Sequence, residues 1–181
     1  MTNIKSFKIK NLTFESFESL DLKNQKEIVF WRNNSKVRSM MLNKAEISLE
    51  IHLEFIKKLN KKDDKLYWRV NFKNNKIGVL YLFDITKSRA SWGYYLDPEL
   101  IGSGYGILLE YTVLLIAFEK LKLSELFCET LNINKSVLKI HNYFGYLQIL
   151  KNSSFTVQSI TFENFKKNKN TNQSLIKNFL N

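Results

Sequence analysis

Three glycines in five residues, Gly102, Gly104 and Gly106, stand directly before the most apolar stretch of the chain. Turn residues are otherwise scarce, with six glycines and only Pro98 in 181 residues. Glycine lets a backbone reverse sharply and approach other groups closely, so a strand at Ser91 to Leu96 must turn here into a helix. That helix reads from Tyr105 to about Lys122. It is hydrophobic nearly all round (Leu108, Leu109, Val113, Leu114, Leu115, Ile116, Phe118), which buries most of its faces. The first N–H groups of a helix lack intrahelical acceptors, and its dipole favours negative charge at that end. The loop is therefore either a plain strand-to-helix turn or a cradle for a pyrophosphate.

The spacing excludes two nucleotide folds. No lysine follows the glycines, as a P-loop requires. Gly106 comes one residue too early for Gly-x-Gly-x-x-Gly, and the preceding strand belongs to a meander, not to an opening βαβ unit.

Elsewhere the hydrophobic period predicts helices over Asn24 to Asn33 and Ser48 to Lys61, the second with Leu49, Leu53, Ile56 and Leu59 along one stripe. Strands at Leu66 to Phe72 and Ile77 to Phe83, joined by a polar turn at Lys73 to Lys76, form a hairpin. A polar connection, Asp84 to Ala90, leads to the strand at 91. Beyond the long helix come a strand at Leu126 to Leu131, a short helix at Lys135 to Phe144, and one or two strands before Phe165. Residues 1–165 read as one domain, because 181 residues bury a substantial core and no linker divides them. Residues 166–181 read as a polar, mobile tail, in which Leu175, Ile176, Phe179 and Leu180 are able to dock as one helical turn.

Several function classes are disfavoured. Cys128 is the lone cysteine, so it forms no internal disulfide; it reads as a strand residue in a reducing, cytoplasmic compartment. Two histidines and one cysteine make a structural zinc site improbable, and no metal is expected. The longest apolar run, Thr112 to Phe118, falls far short of the roughly 20 residues of a membrane span. The N-terminus lacks the apolar stretch of a signal peptide. The net charge of +11 fits phosphate-bearing partners, but a solvated lysine-rich surface accounts for it equally well.

The strand, glycine loop and long helix resemble the GNAT superfamily of N-acetyltransferases, where Arg/Gln-x-x-Gly-x-Gly/Ala amides hold the pyrophosphate of acetyl-CoA. Gly104-Tyr105-Gly106 fills the Gly-x-Gly portion, and Ile101 stands in place of the usual Arg or Gln. A second element agrees: Asn134 starts the short helix, His141 stands seven residues on where the family has tyrosine, and Gly145-Tyr146 replaces Gly-Phe. The resemblance implies a mixed α/β (α+β) fold, with a mostly antiparallel central sheet, a splayed strand pair and flanking helices. It further implies that Tyr94, Tyr95 and Leu96, the loop residues Ile101, Gly102, Ser103, Gly104, Tyr105 and Gly106, and Asn134 line the co-substrate acetyl-CoA. Tyr94 and Tyr95 point to opposite sheet faces, and Gly93 fits a bulge or a close approach. His141 would lie near the thiolate leaving group, which imidazole can protonate or stabilise.

The N-terminal third (Trp31-Arg32-Asn33-Asn34, Val37 to Leu42, Ile51 to Ile56) resembles the aminosugar N-acetyltransferases of bacterial pseudaminic acid synthesis. Trp92-Gly93-Tyr94-Tyr95 and Ile140-His141 fit the same branch. Its acceptor is a UDP-linked 4-amino sugar, a precursor of the sugar on flagellin. Arg32 then pairs with the diphosphate or is a surface arginine; His52 is a sugar or nucleotide contact or a core histidine. Asp84 and Trp92 are further candidates for the acceptor site. Glu129 is either a general base for the amine or an exposed strand residue. Transfer is expected to be direct, since Cys128 has no activating base next to it in sequence. No nucleic-acid or membrane partner is expected, and a homodimer is left open.

Two rivals remain. A peptide or ribosomal-protein N-terminal acetyltransferase shares the cofactor half but needs an open acceptor groove. A non-catalytic basic nucleic-acid-binding module uses the charge and the fourteen phenylalanines, but carries no aromatic–basic motif of an RNA-binding sheet.

Overall fold

The computed structural model describes residues 5–59 and 64–180. Among these residues, eight strands form one sheet in the order β1-β2-β3-β4-β5-β6-β8-β7. They are β1 (Phe7–Ile9), β2 (Leu12–Ser16), β3 (Leu66–Phe72), β4 (Asn75–Phe83), β5 (Arg89–Leu96), β6 (Glu125–Leu131), β7 (Leu147–Lys151) and β8 (Phe155–Thr161). Every pairing is antiparallel except β5 with β6. The mixed, mostly antiparallel sheet expected from the sequence is present. β1 and β2 were not legible in the sequence; they pair on the outer side of β3.

Local chemistry sets the element ends. Helix α1 (Leu22–Asn33) starts where the Asp21 carboxylate accepts from Asn24 N–H at 2.8 Å. Asn34 ends it and caps the short α2 (Ser35–Arg38). Helix α3 (Leu49–Leu59) is entered through Ser48, whose hydroxyl accepts from Ile51 N–H. Its expected end at Lys61 lies outside the described residues. The β3–β4 turn is only Lys73-Asn74, both at positive φ (46° and 69°), the backbone of a two-residue hairpin turn.

The sheet divides the apolar side chains into two layers. Helices α1 and α3 cover one face, where Phe17, Ile28, Trp31, Leu59 and Val79 are buried. The other face carries the larger core, built on Phe14, Trp68, Val70, Leu80, Leu82 and Trp92 and covered by α4 (Tyr105–Leu114). Full burial of such a side chain stabilises by about 1.5–3 kcal/mol. The single long helix expected to Lys122 changes character after Leu114: Leu115–Lys120 forms wider π turns, and Leu121 N–H bonds to Ile116 five residues back.

The segment from 166, expected as a mobile tail, is helical instead. Helix α6 (Phe162–Leu175) runs across the anticipated domain end at 165, and α7 (Lys177–Leu180) follows it. Phe165 and Asn172 of α6 and Ile176 just past its end are buried, so two apolar side chains and one amide pack beneath the polar exterior. Helix α5 (Lys135–Phe144) lies where expected, with Asn134 as its cap.

Candidate active site

The parallel pair β5–β6 holds together over three residue pairs only, Arg89 with Glu125, Ala90 with Leu126 and Ser91 with Phe127. Beyond them each strand keeps its outer partner, β5 with β4 to Leu96 and β6 with β8 to Leu131. The two strands therefore part at Trp92 and Cys128, opening a V whose inner edges are unpaired backbone. This is the splayed pair the sequence implied, and an extended ligand can pair with such edges as an added strand. No bulge accompanies it at Gly93; a Cβ there would lie 2.5 Å from the Tyr81 hydroxyl, so the glycine makes room for that ring.

The glycine loop closes the open end of β5. Asp97 caps a short turn at Pro98–Leu100, and Ser103 donates from both N–H and hydroxyl to the Leu100 carbonyl (3.1 and 2.6 Å). Gly102 and Gly104 both take φ +89°, and Gly104 starts α4 without a side-chain cap. Among the described residues, the N–H groups of Gly104, Tyr105 and Gly106 have no backbone acceptor. Left-handed glycines followed by free helix amides fit a diphosphate. Ile101 points outward, half-exposed, so the loop works through its backbone. Phe179 of α7 packs over this end, on Tyr105 and Phe72.

The parallel register assigns the faces. Trp92, Tyr94 and Leu96 share one face with Cys128; Gly93 and Tyr95 share the other with Phe127 and Glu129. Tyr94 and Tyr95 therefore do point apart. Tyr94 stacks on Trp92 and reaches the first turn of α4 at Gly106.

His141, on α5, plugs the apex of the V from the Tyr94 side. Its ring is 1% exposed, tilted against Trp92 (6.0 Å) and stacked on Tyr146 (4.8 Å). Nδ1 lies 2.9 Å from Gln158 Oε1 and 3.5 Å from Cys128 Sγ. Nε2 faces Glu110 Oε2 at 3.4 Å. Burial is the largest single effect and works against the imidazolium, but the Glu110 carboxylate and the Cys128 sulfur together outweigh it and push the group up to about 11. Cys128 thus has in space the imidazole neighbour it lacks in sequence. Its burial raises the thiol all the same, against the effect of His141, and so disfavours a thiolate. Glu110 went unnoticed in the sequence, although a lone carboxylate in an all-apolar helix signals a buried partner.

On the opposite face Arg32 approaches Tyr81 and Tyr95 closely enough to act on both phenols. Its Nη2 donates to the Asn43 carbonyl at 2.6 Å, while Nη1 is shielded and has no hydrogen-bond partner among the described residues. Tyr67 and Tyr81 stack at 4.9 Å, Phe55 meets Tyr67 edge-on, and exposed Asp84 lies beside Tyr67. Glu129 shares this face but is exposed, without the partial burial expected beside Phe127. The aromatic set was not singled out in the sequence, since Tyr67 and Tyr81 are 14 residues apart and meet only by strand register.

Three expected contacts move. His52 is buried between α1 and α3, its Nε2 2.8 Å from Gln25 Oε1, and burial lowers its pKa to about 4. It is a neutral core histidine, not an acceptor contact. Trp92 lies in the core on the His141 side, across the sheet from Arg32. The Asn134 side chain accepts from Val137 N–H at 3.4 Å, so it serves as the cap of α5.

Comparison with known proteins places this geometry. The acetyltransferase (GNAT) domain matches residues 11–147. Acetyltransferase PseH of Campylobacter jejuni is 33% identical over 139 residues, which span 76% of this chain and 83% of that protein. The crystal structure of C. jejuni N-acetyltransferase PseH with acetyl coenzyme A superposes with a TM-score of 0.70 at 24% identity, covering 83% of this chain and 99% of the other. Spermidine N-acetyltransferase of Vibrio cholerae, with CoA and spermine, gives 0.77 at 18% identity, covering 87% and 99%. The domain match over most of the sequence, the parted strands and the glycine-led helix agree: the chain belongs to the GNAT family of acetyl-CoA-dependent acetyltransferases.

Proposed function

We propose that this enzyme transfers acetyl from acetyl-CoA directly to the 4-amino group of a UDP-linked aminosugar, the acceptor of the pseudaminic acid branch it resembles. The observation that carries this reading is Arg32: a guanidinium beside the Tyr67–Tyr81 stack, its Nη1 without a hydrogen-bond partner among the described residues. A planar fork of donors suits a diphosphate, and aromatic faces suit a uracil. The PseH relative supports the same acceptor class.

Acetyl-CoA supplies the activated acetyl group. The amides of Gly104, Tyr105 and Gly106 hold its diphosphate, and the free edge of β5 from Trp92 to Leu96 aligns its arm. Most of the rate comes from holding amine and thioester in line. Glu129, on the acceptor face, takes the amine proton through water, its exposure giving that water access. His141 acts from the other face. The reading takes the enzyme as cytoplasmic, in keeping with the buried free thiol of Cys128, with no nucleic-acid partner and with room for a homodimer. Among the described residues no helix is long and apolar enough to cross a membrane.

Calorimetric titration with UDP tests the acceptor site. Wild type binds UDP, and Arg32→Ala weakens that binding about tenfold or more while leaving acetyl-CoA affinity unchanged. Equal UDP affinity in both proteins would remove Arg32 from the site.

A further inference from the structure

Glu110 of α4 is fully buried, and among the described residues neither of its carboxylate oxygens takes an aligned hydrogen bond. An ionised carboxylate so placed is retained only beside a compensating charge. The group beside it is His141, whose Nε2 stands 3.4 Å from Glu110 Oε2. The other ring nitrogen faces Gln158 Oε1 at 2.9 Å, and that amide is oriented by its Nε2 donating to Asn142 Oδ1 at 3.3 Å. Oxygen thus faces the ring at both nitrogens, as a hydrogen-bond acceptor at Nδ1 and as a carboxylate at Nε2, an arrangement that favours a proton on each.

We propose that Glu110 is a positioning residue that holds His141 as a permanent imidazolium at the apex of the V, where it meets the departing thiolate as a fixed positive charge. The inference rests on the acetyl-transfer reading and assigns His141 electrostatic stabilisation in place of proton donation. Around the ring, β5 contributes Trp92, β6 Cys128, β8 Gln158, α4 Glu110, and the residue two beyond α5 contributes Tyr146. Burial holds the thiol and the phenol neutral, and among the described residues Glu110 is the carboxylate that faces the ring. In the transfer, the amine lone pair forms the bond to the acetyl carbon and the carbon–sulfur bond breaks with its electron pair on sulfur. The amine proton passes to Glu129 through water, and solvent protonates the sulfur after release. His141 keeps its protons throughout. In a low-dielectric apex its charge acts on the sulfur without touching it.

The chain has two histidines, so imidazole 1H–15N spectra of the free protein resolve each ring. The expected result is a His141 ring protonated at both nitrogens from pH 6 to 9 in wild type, and a ring short of one proton across that whole window in Glu110→Gln, where burial acts without the carboxylate. Turnover of Glu110→Gln should fall about tenfold or more across pH 6 to 9, while Glu110→Asp, which keeps a carboxylate, should retain the doubly protonated ring and most of the activity. A wild-type His141 that titrates near neutrality overturns the proposal, even where the variant fails to fold. So does a Glu110→Gln ring that stays protonated at both nitrogens across the window. The spectra need no acceptor, so the expected ring protonation without turnover on any acceptor would sink the functional reading alone.

Discussion

The hydroxyl of Tyr94 lies so close to the first turn of α4 that a Cβ on Gly106 would stand 2.8 Å from it, with ring carbons at 3.5 Å. The third glycine of the loop thus serves strand-to-helix packing, while Gly104 serves the turn itself.

Gly106→Ala should therefore destabilise the protein by about 1–3 kcal/mol, the usual range for overpacking. Removing the hydroxyl leaves only ordinary contacts, so adding Tyr94→Phe should restore most of the loss. Urea unfolding of the single and double variants checks this. Additive effects of the two changes would show that the hydroxyl contact is not the cause.

Gly104→Ala tests the turn. A left-handed φ of +89° costs an L-residue about 1 kcal/mol, while the new Cβ would meet Phe179 at an ordinary 3.5 Å. Strain in the loop displaces the free amides. The KM for acetyl-CoA should rise several-fold, about 1 kcal/mol in binding terms, with kcat held within about twofold. Steady-state kinetics with acetyl-CoA varied give the answer.

The two histidines pull stability in opposite directions with pH. His52 is depressed from 6.5 to about 4. The unfolded chain thus binds a proton there that the folded one refuses. Its contribution is complete above pH 6.5 and is lost as pH falls towards 4. His141 is raised, so its contribution is complete below 6.5 and is lost as pH rises towards about 11. The denaturation midpoint should fall on both sides of neutrality, and His52→Gln should flatten the acid limb alone. An acid limb unchanged in that variant would mean that carboxylates account for it.

Much of this arrangement is legible in the sequence because it rests on local pattern. Gly102 to Gly106 announces the loop, and the capping residue Asn134 announces α5. Tyr94 and Tyr95 fall on opposite faces by strand period alone. What the sequence concealed depends on long-range pairing. Glu110 and His141 are brought together only by the packing of two helices, and Tyr67 meets Tyr81 only through the β3–β4 register. His52 stayed open between an acceptor contact and a core histidine because its buried partner, Gln25, is 27 residues away. The helix in the tail was hidden because Asn, Lys and Gln dominate α6, while the residues buried there, Phe165 and Asn172 with Ile176 just past its end, are widely spaced.

Thiol release from acetyl-CoA, with a UDP-linked 4-amino sugar in one arm and N-terminal peptides in another, tests the acceptor assignment most directly. Release with the sugar alone, with the product carrying acetyl on its 4-amino nitrogen, is the predicted result. Release with peptides and none with the sugar would contradict it.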